Sequence, residues 1–246
     1  MNFKKFDTYI FDLDGTLWNF PNLFNGTDKI FEKLKKMNKN IIIVSNFTYL
    51  DRDDIIKILK NGGIEIEKEK LITSSYVAAM ILKNKKVYPI GKGLKKELEK
   101  NGVKISNNDV DAVVVGHDTE FNYWKASKVL NLLERGSDLY TTATGKIWNF
   151  KNKRVPGTGL IIAGLEYCSN KKAIMVGKPS KYISKFVKKL IIGKAVHFGD
   201  EIKADSEFAK SINAEFVFVR SGVDKMKKKV KAYAILNSIK DMKKFL

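Results

Sequence analysis

Short apolar runs rich in β-branched residues alternate along this chain with longer stretches of helical period, the pattern of a parallel α/β sheet. Thr8–Leu13 is the first such run. After a loop containing Pro21 and Gly26, a helix starting near Thr27 or Asp28 places Ile30, Phe31, Leu34 and Met37 on one face. Ile41–Val44 is apolar without alternation, as a strand covered on both faces requires. Asp51 then stands at a helix N-cap, with Asp53 and Asp54 in the first turn and Asn61-Gly62-Gly63 at the end. The tail repeats the scheme. It holds a strand over Ala173–Val176, then a helix capped by Ser180 and carrying Ile183, Phe186, Val187 and Leu190. A strand over Ala195–Phe198, a helix near Asp205–Ile212 and a strand over Glu215–Val219 complete it.

The middle of the chain reads as a different body. Val87–Ile90, a helix through Leu94–Leu98, the strand Ala112–Val115, a helix from about Tyr123 to Leu133, and Leu139–Thr142 make a second α/β unit. Pro156-Gly157-Thr158-Gly159 is a turn-prone joint at its outer end. The expectation is a Rossmann-like parallel-sheet core from residues 1–82 and 173–246, with an α/β domain inserted at 83–172. No internal repeat and no low-complexity linker interrupts this plan.

Composition narrows the class. With 44% hydrophobic and 11% aromatic residues, a chain of this length can bury a core without disulfides or structural metal. The single cysteine, Cys168, excludes an internal disulfide and lies in the apolar stretch Leu160–Cys168, where a packed thiol is expected. No signal-peptide pattern fits the start, and no run reaches the ~20 apolar residues of a membrane span, so a cytoplasmic protein is expected. The net charge is +19, but it is nearly all lysine scattered over helix faces; its densest run, Lys225–Lys231, suggests an amphipathic helix. An Arg-rich stripe with interleaved aromatics is missing, which argues against nucleic acid and for a solvated surface that attracts small anions.

The chemistry concentrates at Phe11-Asp12-Leu13-Asp14-Gly15-Thr16-Leu17. Carboxylates at i and i+2 leave a strand end on the same side, where open sheets bind ligands. Such crowding is costly without a cation, and Mg²⁺ is the natural one. Gly15 and Thr16 supply a tight turn whose N–H groups suit a phosphate. An Asp-Gly turn alone would be ordinary; two apolar-flanked acids and Gly-Thr after a buried strand are far more specific.

At these residues the chain resembles the haloacid dehalogenase superfamily of phosphotransferases, and the other motifs of that family follow in order. The resemblance implies that Asp12 is the nucleophile and Asp14 the general acid/base, passing a phosphoryl group through an aspartyl-phosphate. It matches Val44-Ser45-Asn46 to the second motif, making Ser45 and Asn46 phosphate-binding residues with Gly15 and Thr16. Val176-Gly177-Lys178-Pro179-Ser180 matches the third, with Lys178 neutralising the nucleophile and the transferring group. Phe198-Gly199-Asp200 matches the fourth, so that Asp12, the Asp14 carbonyl and Asp200 hold Mg²⁺ and Asp205 supports the site. A large α/β cap between the second and third motifs is the arrangement of subclass IIA, the NagD-like nucleotidases and the p-nitrophenyl, phosphoglycolate and pyridoxal phosphate phosphatases. Ile72-Thr73-Ser74, Val115-Gly116-His117-Asp118, Phe121-Asn122-Tyr123 and Pro156-Gly157-Thr158-Gly159 extend the similarity over nearly the whole chain.

There are departures. The family often has Asn-Asn-Ser after the second strand, where this chain has Asn46-Phe47-Thr48, and Thr-Asn-Pro-Asp in the cap, where it has Thr142-Ala143-Thr144-Gly145. Glu201 stands where a basic residue is common. The altered cap loop makes transfer of any one member's substrate unsafe.

His117, at the end of a cap strand, is a candidate substrate contact, whereas His197, inside a strand, is expected in the core. Trp18, Trp124 and Trp148 are expected to pack, with Trp18 also able to line the cleft. The expected activity is Mg²⁺-dependent hydrolysis of small phosphomonoesters such as sugar, nucleotide, glycolate or p-nitrophenyl phosphates. Two rivals remain: transfer of the phosphoryl group to an alcohol acceptor, and a non-catalytic basic protein that binds polyanions on the same fold. A homodimer through the cap is left open.

Overall fold

The computed structural model describes residues 2–151, 153–226 and 230–246. The chain opens with β1 (Thr8–Phe11), a short antiparallel ribbon of β2 (Trp18–Asn19) and β3 (Asn22–Leu23), α1 (Thr27–Lys36), β4 (Asn40–Ser45), α2 (Arg52–Asn61), β5 (Leu71–Thr73) and α3 (Ser74–Ile81). It continues through β6 (Lys86–Ile90), α4 (Lys92–Lys100), β7 (Lys104–Ile105), β8 (Ala112–Val115), α5 (Tyr123–Glu134) and β9 (Asp138–Thr141). The hairpin β10 (Ile147–Phe150) and β11 (Lys153–Pro156), then α6 (Thr158–Ser169) and β12 (Ile174–Met175), follow. Last come α7 (Lys181–Lys188), β13 (Ala195–Gly199), α8 (Ile202–Ser211), β14 (Glu215–Val219) and β15 (Ala234–Leu236).

Two sheets organise these elements. One has the order β15-β14-β13-β1-β4-β5, the other β12-β9-β8-β6-β7, and their ladders are parallel. This is a Rossmann-like α/β fold. Helices cover both faces of the larger sheet, so β1 is buried at all four positions and β4 at five of its six. Phe11 and Phe198 stack at 5.0 Å, and Phe11 meets Phe31 of α1 at 5.2 Å. That packing fixes the ends of β1 and β13, from which Asp12 and Asp200 project.

Local chemistry sets the helix starts. The Asp51 carboxylate accepts the Asp54 N–H at 2.9 Å, capping α2 as its sequence predicts. Ser180 occupies the N-cap position of α7, but its hydroxyl donates to the Val176 carbonyl instead of capping.

Several expectations change. The strand expected over Ala173–Val176 is Ile174–Met175, and it pairs with Tyr140 and Thr141 of the smaller sheet. Cys168 is exposed, because α6 buries only Thr158, Ile161, Ile162 and Leu165 and the cysteine lies past that stripe. Trp124 is 78% exposed, since the buried side of α5 is Val129, Leu132 and Leu133. The helix expected over Lys225–Lys231 falls partly on residues 227–229, outside the described residues; Lys225 and Met226 lie in a turn. Among the described residues no helix is long and apolar enough to cross a membrane.

Candidate active site

The order of the larger sheet reverses at β1, with β4 on one side and β13 on the other. A crevice opens outside the carboxyl ends of strands at such a point. Asp12 follows β1, Ser45 ends β4, and Asp200 follows β13, so three sequence-distant motifs meet there. Lys178 reaches the same place from the loop between β12 and α7.

Asp12, Lys178 and Asp205 form a buried charge chain. The Lys178 ammonium donates to Asp12 Oδ1 at 2.5 Å and to Asp205 Oδ1 at 2.6 Å. All three side chains are almost wholly inaccessible to solvent. Burial opposes the charge on Lys178, but Asp12 and Asp205 outweigh it and hold its pKa above the usual lysine range. Burial likewise opposes ionisation of Asp205, yet Lys178 and His197 keep its carboxyl well below the usual range. Asp12 is pushed up to about 6 by burial, against the pull of Lys178. Among the described residues Lys178 is the one buried lysine.

Asp14 is set differently. Its carboxylate is partly open to the crevice and accepts the Trp18 indole N–H at 2.7 Å. Burial of its surroundings and the adjacent Asp12 charge raise its pKa to about 8. The Trp148 indole, from the β10–β11 hairpin, lies close enough to draw that value down, although its buried N–H makes no hydrogen bond within the described residues.

Asp200 completes the acid cluster. Its Oδ2 accepts the Val223 N–H at 2.6 Å, and burial together with Asp12 and Asp205 raises its pKa well above the carboxylate range. Carboxylate oxygens of Asp12, Asp200 and Asp205 lie within 4.8 Å of one another. A buried all-oxygen set in which Asp12 and Asp200 resist ionisation fits a hard divalent cation. Asp205 differs from the other two, because Lys178, His197 and the Glu201 N–H occupy its oxygens at 2.6–3.0 Å. Gly15 passes so near Asp200 and Gly222 that a Cβ there would strike both, and its φ of 73° also requires glycine.

Other expected residues fall as follows. Gly15, Ser45, Asn46 and His117 line a cavity of about 90 Å³ together with Asp12, Asp14, Lys178, Asp200 and Asp205. Ser45 is 1% exposed and accepts the Phe47 N–H, leaving its own hydrogen to donate. The Asn46 amide is committed to the Lys178 backbone, accepting its N–H at 2.7 Å and donating to its carbonyl at 3.0 Å. Asn46 therefore sets the lysine's position. Thr16 is fully buried in the turn and is not part of the cavity wall. His117 accepts the Thr48 N–H on Nδ1, and burial lowers its pKa to about 4, so it is neutral.

Trp148, Asn19, Asn149 and Thr158 also line the cavity. Sequence reasoning took Trp148 for packing and Thr158 for part of a turn-prone joint that extends the family similarity, and passed over Asn19 and Asn149. His197 is buried as expected, but it also bonds Asp205.

Comparison with known proteins finds similarity to phosphatases. Residues 9–104 match the family model of haloacid dehalogenase-like hydrolases. Mouse chronophin is 27% identical over 239 residues, covering 88% of this chain and 82% of its own. Phosphoglycolate phosphatase 2 of Arabidopsis thaliana is 26% identical, covering 90% and 85%. The solved structure of p-nitrophenyl phosphatase from Archaeoglobus fulgidus superposes with a TM-score of 0.88 at 28% identity, over 98% of this chain and 99% of that one. Residues 9–104 carry the pattern of the haloacid dehalogenase-like hydrolases, and over nearly its whole length the chain is similar to phosphoglycolate and p-nitrophenyl phosphatases, which supports a hydrolase acting on phosphoesters.

Proposed function

We propose that this enzyme hydrolyses small phosphomonoesters in two in-line steps through an aspartyl-phosphate on Asp12. The observation that carries the reading is the unequal setting of two neighbouring acids. Asp12 has a lysine ammonium at 2.5 Å to neutralise it, whereas Asp14, raised to about 8, keeps its proton at neutral pH. The first is suited to attack phosphorus and the second to donate a proton. In the first step an Asp12 oxygen bonds to phosphorus, the ester P–O bond breaks, and Asp14 protonates the departing alkoxide. In the second, Asp14 takes a proton from water as the water oxygen bonds to phosphorus and the Asp12–P bond breaks.

Asp12 and Asp200 would hold Mg²⁺ through carboxylate oxygens, with the Asp14 carbonyl and waters completing the set. Bound there, the ion offsets negative charge on the phosphoryl oxygens. Lys178 adds a fixed positive charge, and Ser45 donates to a phosphoryl oxygen.

The smaller sheet and its helices act as a cap, inserted into the core at about residues 83–172 and extended by β12 at Ile174–Met175, with 1–82 and the chain after β12 forming the core. A wall formed by His117, Trp148 and Thr158 over Asp12 and Asp14 supports this division, since a cavity of about 90 Å³ suits a small organic group and excludes a folded protein. Tyr123, Trp124, Leu160 and Tyr167, exposed on α5 and α6, suit contact with a second copy of the chain, which sedimentation velocity would show as a dimer or refute as a monomer.

Release of inorganic phosphate from a panel of small esters tests the activity. Chelation should abolish turnover, Mg²⁺ should restore it, and Ca²⁺ should inhibit through looser coordination. Full turnover in excess chelator, or faster turnover of phosphoproteins than of every small ester, would sink the reading.

A further inference from the structure

We infer that His197 is a positioning residue for the phosphoryl-transfer step, holding Asp205 so that Lys178 stays on Asp12. This rests on the proposed roles of Asp12 and Lys178. His197 lies on β13, opposite Ile10 of β1, with no solvent exposure. Its Nε2 is 2.9 Å from Asp205 Oδ1, and its Nδ1 is 3.3 Å from the Ile10 carbonyl. Both partners are acceptors, and a neutral imidazole has one N–H to give. That hydrogen belongs on Nε2, facing the shorter and charged contact.

Asp205 Oδ1 thus takes two donors, His197 and Lys178, while Oδ2 takes the Glu201 N–H at 3.0 Å. Three donors from three directions leave the carboxylate one orientation. The ring is fixed in turn by Phe208, edge-on at 5.1 Å, and by Phe216 at 6.4 Å. Its geometry therefore passes from the sheet to Asp205, from Asp205 to the Lys178 ammonium, and from there to the nucleophile. A strand position that needed only apolar filling would accept leucine; this one supplies a directed donor.

Three substitutions separate this role from simple packing. Leu fills the space without a donor, Gln places an amide N–H near the Nε2 position, and Asn is too short to reach Asp205. The expected result is a fall in kcat of about 10- to 100-fold for His197→Leu and His197→Asn, as loss of a supporting shell partner gives elsewhere. KM should change little, and His197→Gln should recover most of the rate at a melting temperature close to that of His197→Asn. Wild-type kcat in His197→Leu, or equal kcat in the folded Gln and Asn variants, overturns the assignment. Asp12→Asn is the control for the underlying reading. If it is inactive while the His197 variants match wild type, only this inference falls; if it keeps full turnover, the nucleophile assignment falls first.

Discussion

Five carboxylates and one lysine share a largely buried space at the ends of β1 and β13, and each acid's neighbours decide whether it keeps its proton. Asp205 faces Lys178 and His197 and stays ionised. Asp14, raised by burial and by the facing Asp12, stands at about 8, Glu201 is raised to about 7 by burial and Asp205, and burial with Asp12 raises Asp200 well above the carboxylate range. In the unfolded chain these three acids titrate near pH 4. Between there and about pH 8 the folded chain holds protons that the unfolded chain has released, so stability falls as pH rises. His117 and His197 act oppositely, but that effect is nearly spent above pH 6.5, the ordinary histidine value. In chelator, the melting temperature should therefore drop from pH 6.5 to pH 8, less steeply in Asp14→Asn, and Mg²⁺ should restore most at pH 8. A melting temperature that rises over this window in chelator would refute the acid cluster's setting. The meeting of Asp12, Asp14, Ser45, Lys178 and Asp200 was legible in the sequence because each lies in a short, chemically specific motif, all but Lys178 at or just past the end of a buried strand. The cavity contacts of Trp148 and Thr158 and the bond from His197 to Asp205 were not, because they depend on which distant strands become neighbours.

Elements were legible to the extent that burial marks them. The double-sided strands β1, β4, β8 and β13 appear as mainly apolar runs, broken in β13 by His197, and α2 announces itself by Asp51 and Gly62. Periodicity does not say which sheet a strand joins, which is why β12 was assigned to the larger one. The hairpin β10–β11 was missed because one of its positions is clearly buried and the rest are intermediate or exposed. Between elements, Arg52 at the start of α2 meets Glu97 of α4: Nε donates to Oε1 at 2.8 Å and the backbone N–H to Oε2 at 2.9 Å. The guanidinium also stacks 3.6 Å over the Tyr76 ring of α3. With side chains 7% and 2% exposed, removal of one partner strands a buried charge. Glu97→Leu should then cost about 3–5 kcal/mol, whereas Arg52→Met with Glu97→Leu should recover much of it. Denaturant unfolding measures both, and a double variant as unstable as the single one would show that the pair acts through packing alone.

At the scale of the molecule, two α/β units face each other across the cavity, one bringing the acids and Lys178, the other Trp148, His117 and Thr158. The +19 charge is spread over surface lysines, many of them in exposed pairs such as Lys36–Glu32 and Lys92–Glu120, whose contribution to stability is small. The lysine proposed for the chemistry, Lys178, is the buried one. A proton-holding Asp14 beside a lysine-held Asp12 separates two steps that can be caught separately. With p-nitrophenyl phosphate the leaving phenolate scarcely needs a proton, so Asp14→Asn should complete the first step. It should then stall, because activation of water by a base typically contributes about 10²–10⁴-fold. The most direct measurement is intact mass after rapid acid quench, followed by mapping of the phosphate. Asp14→Asn should carry one phosphoryl group on Asp12 after a burst of nitrophenolate, and Asp12→Asn should carry none; phosphate on a serine, threonine or histidine, or a phosphorylated Asp12→Asn chain, would contradict the account.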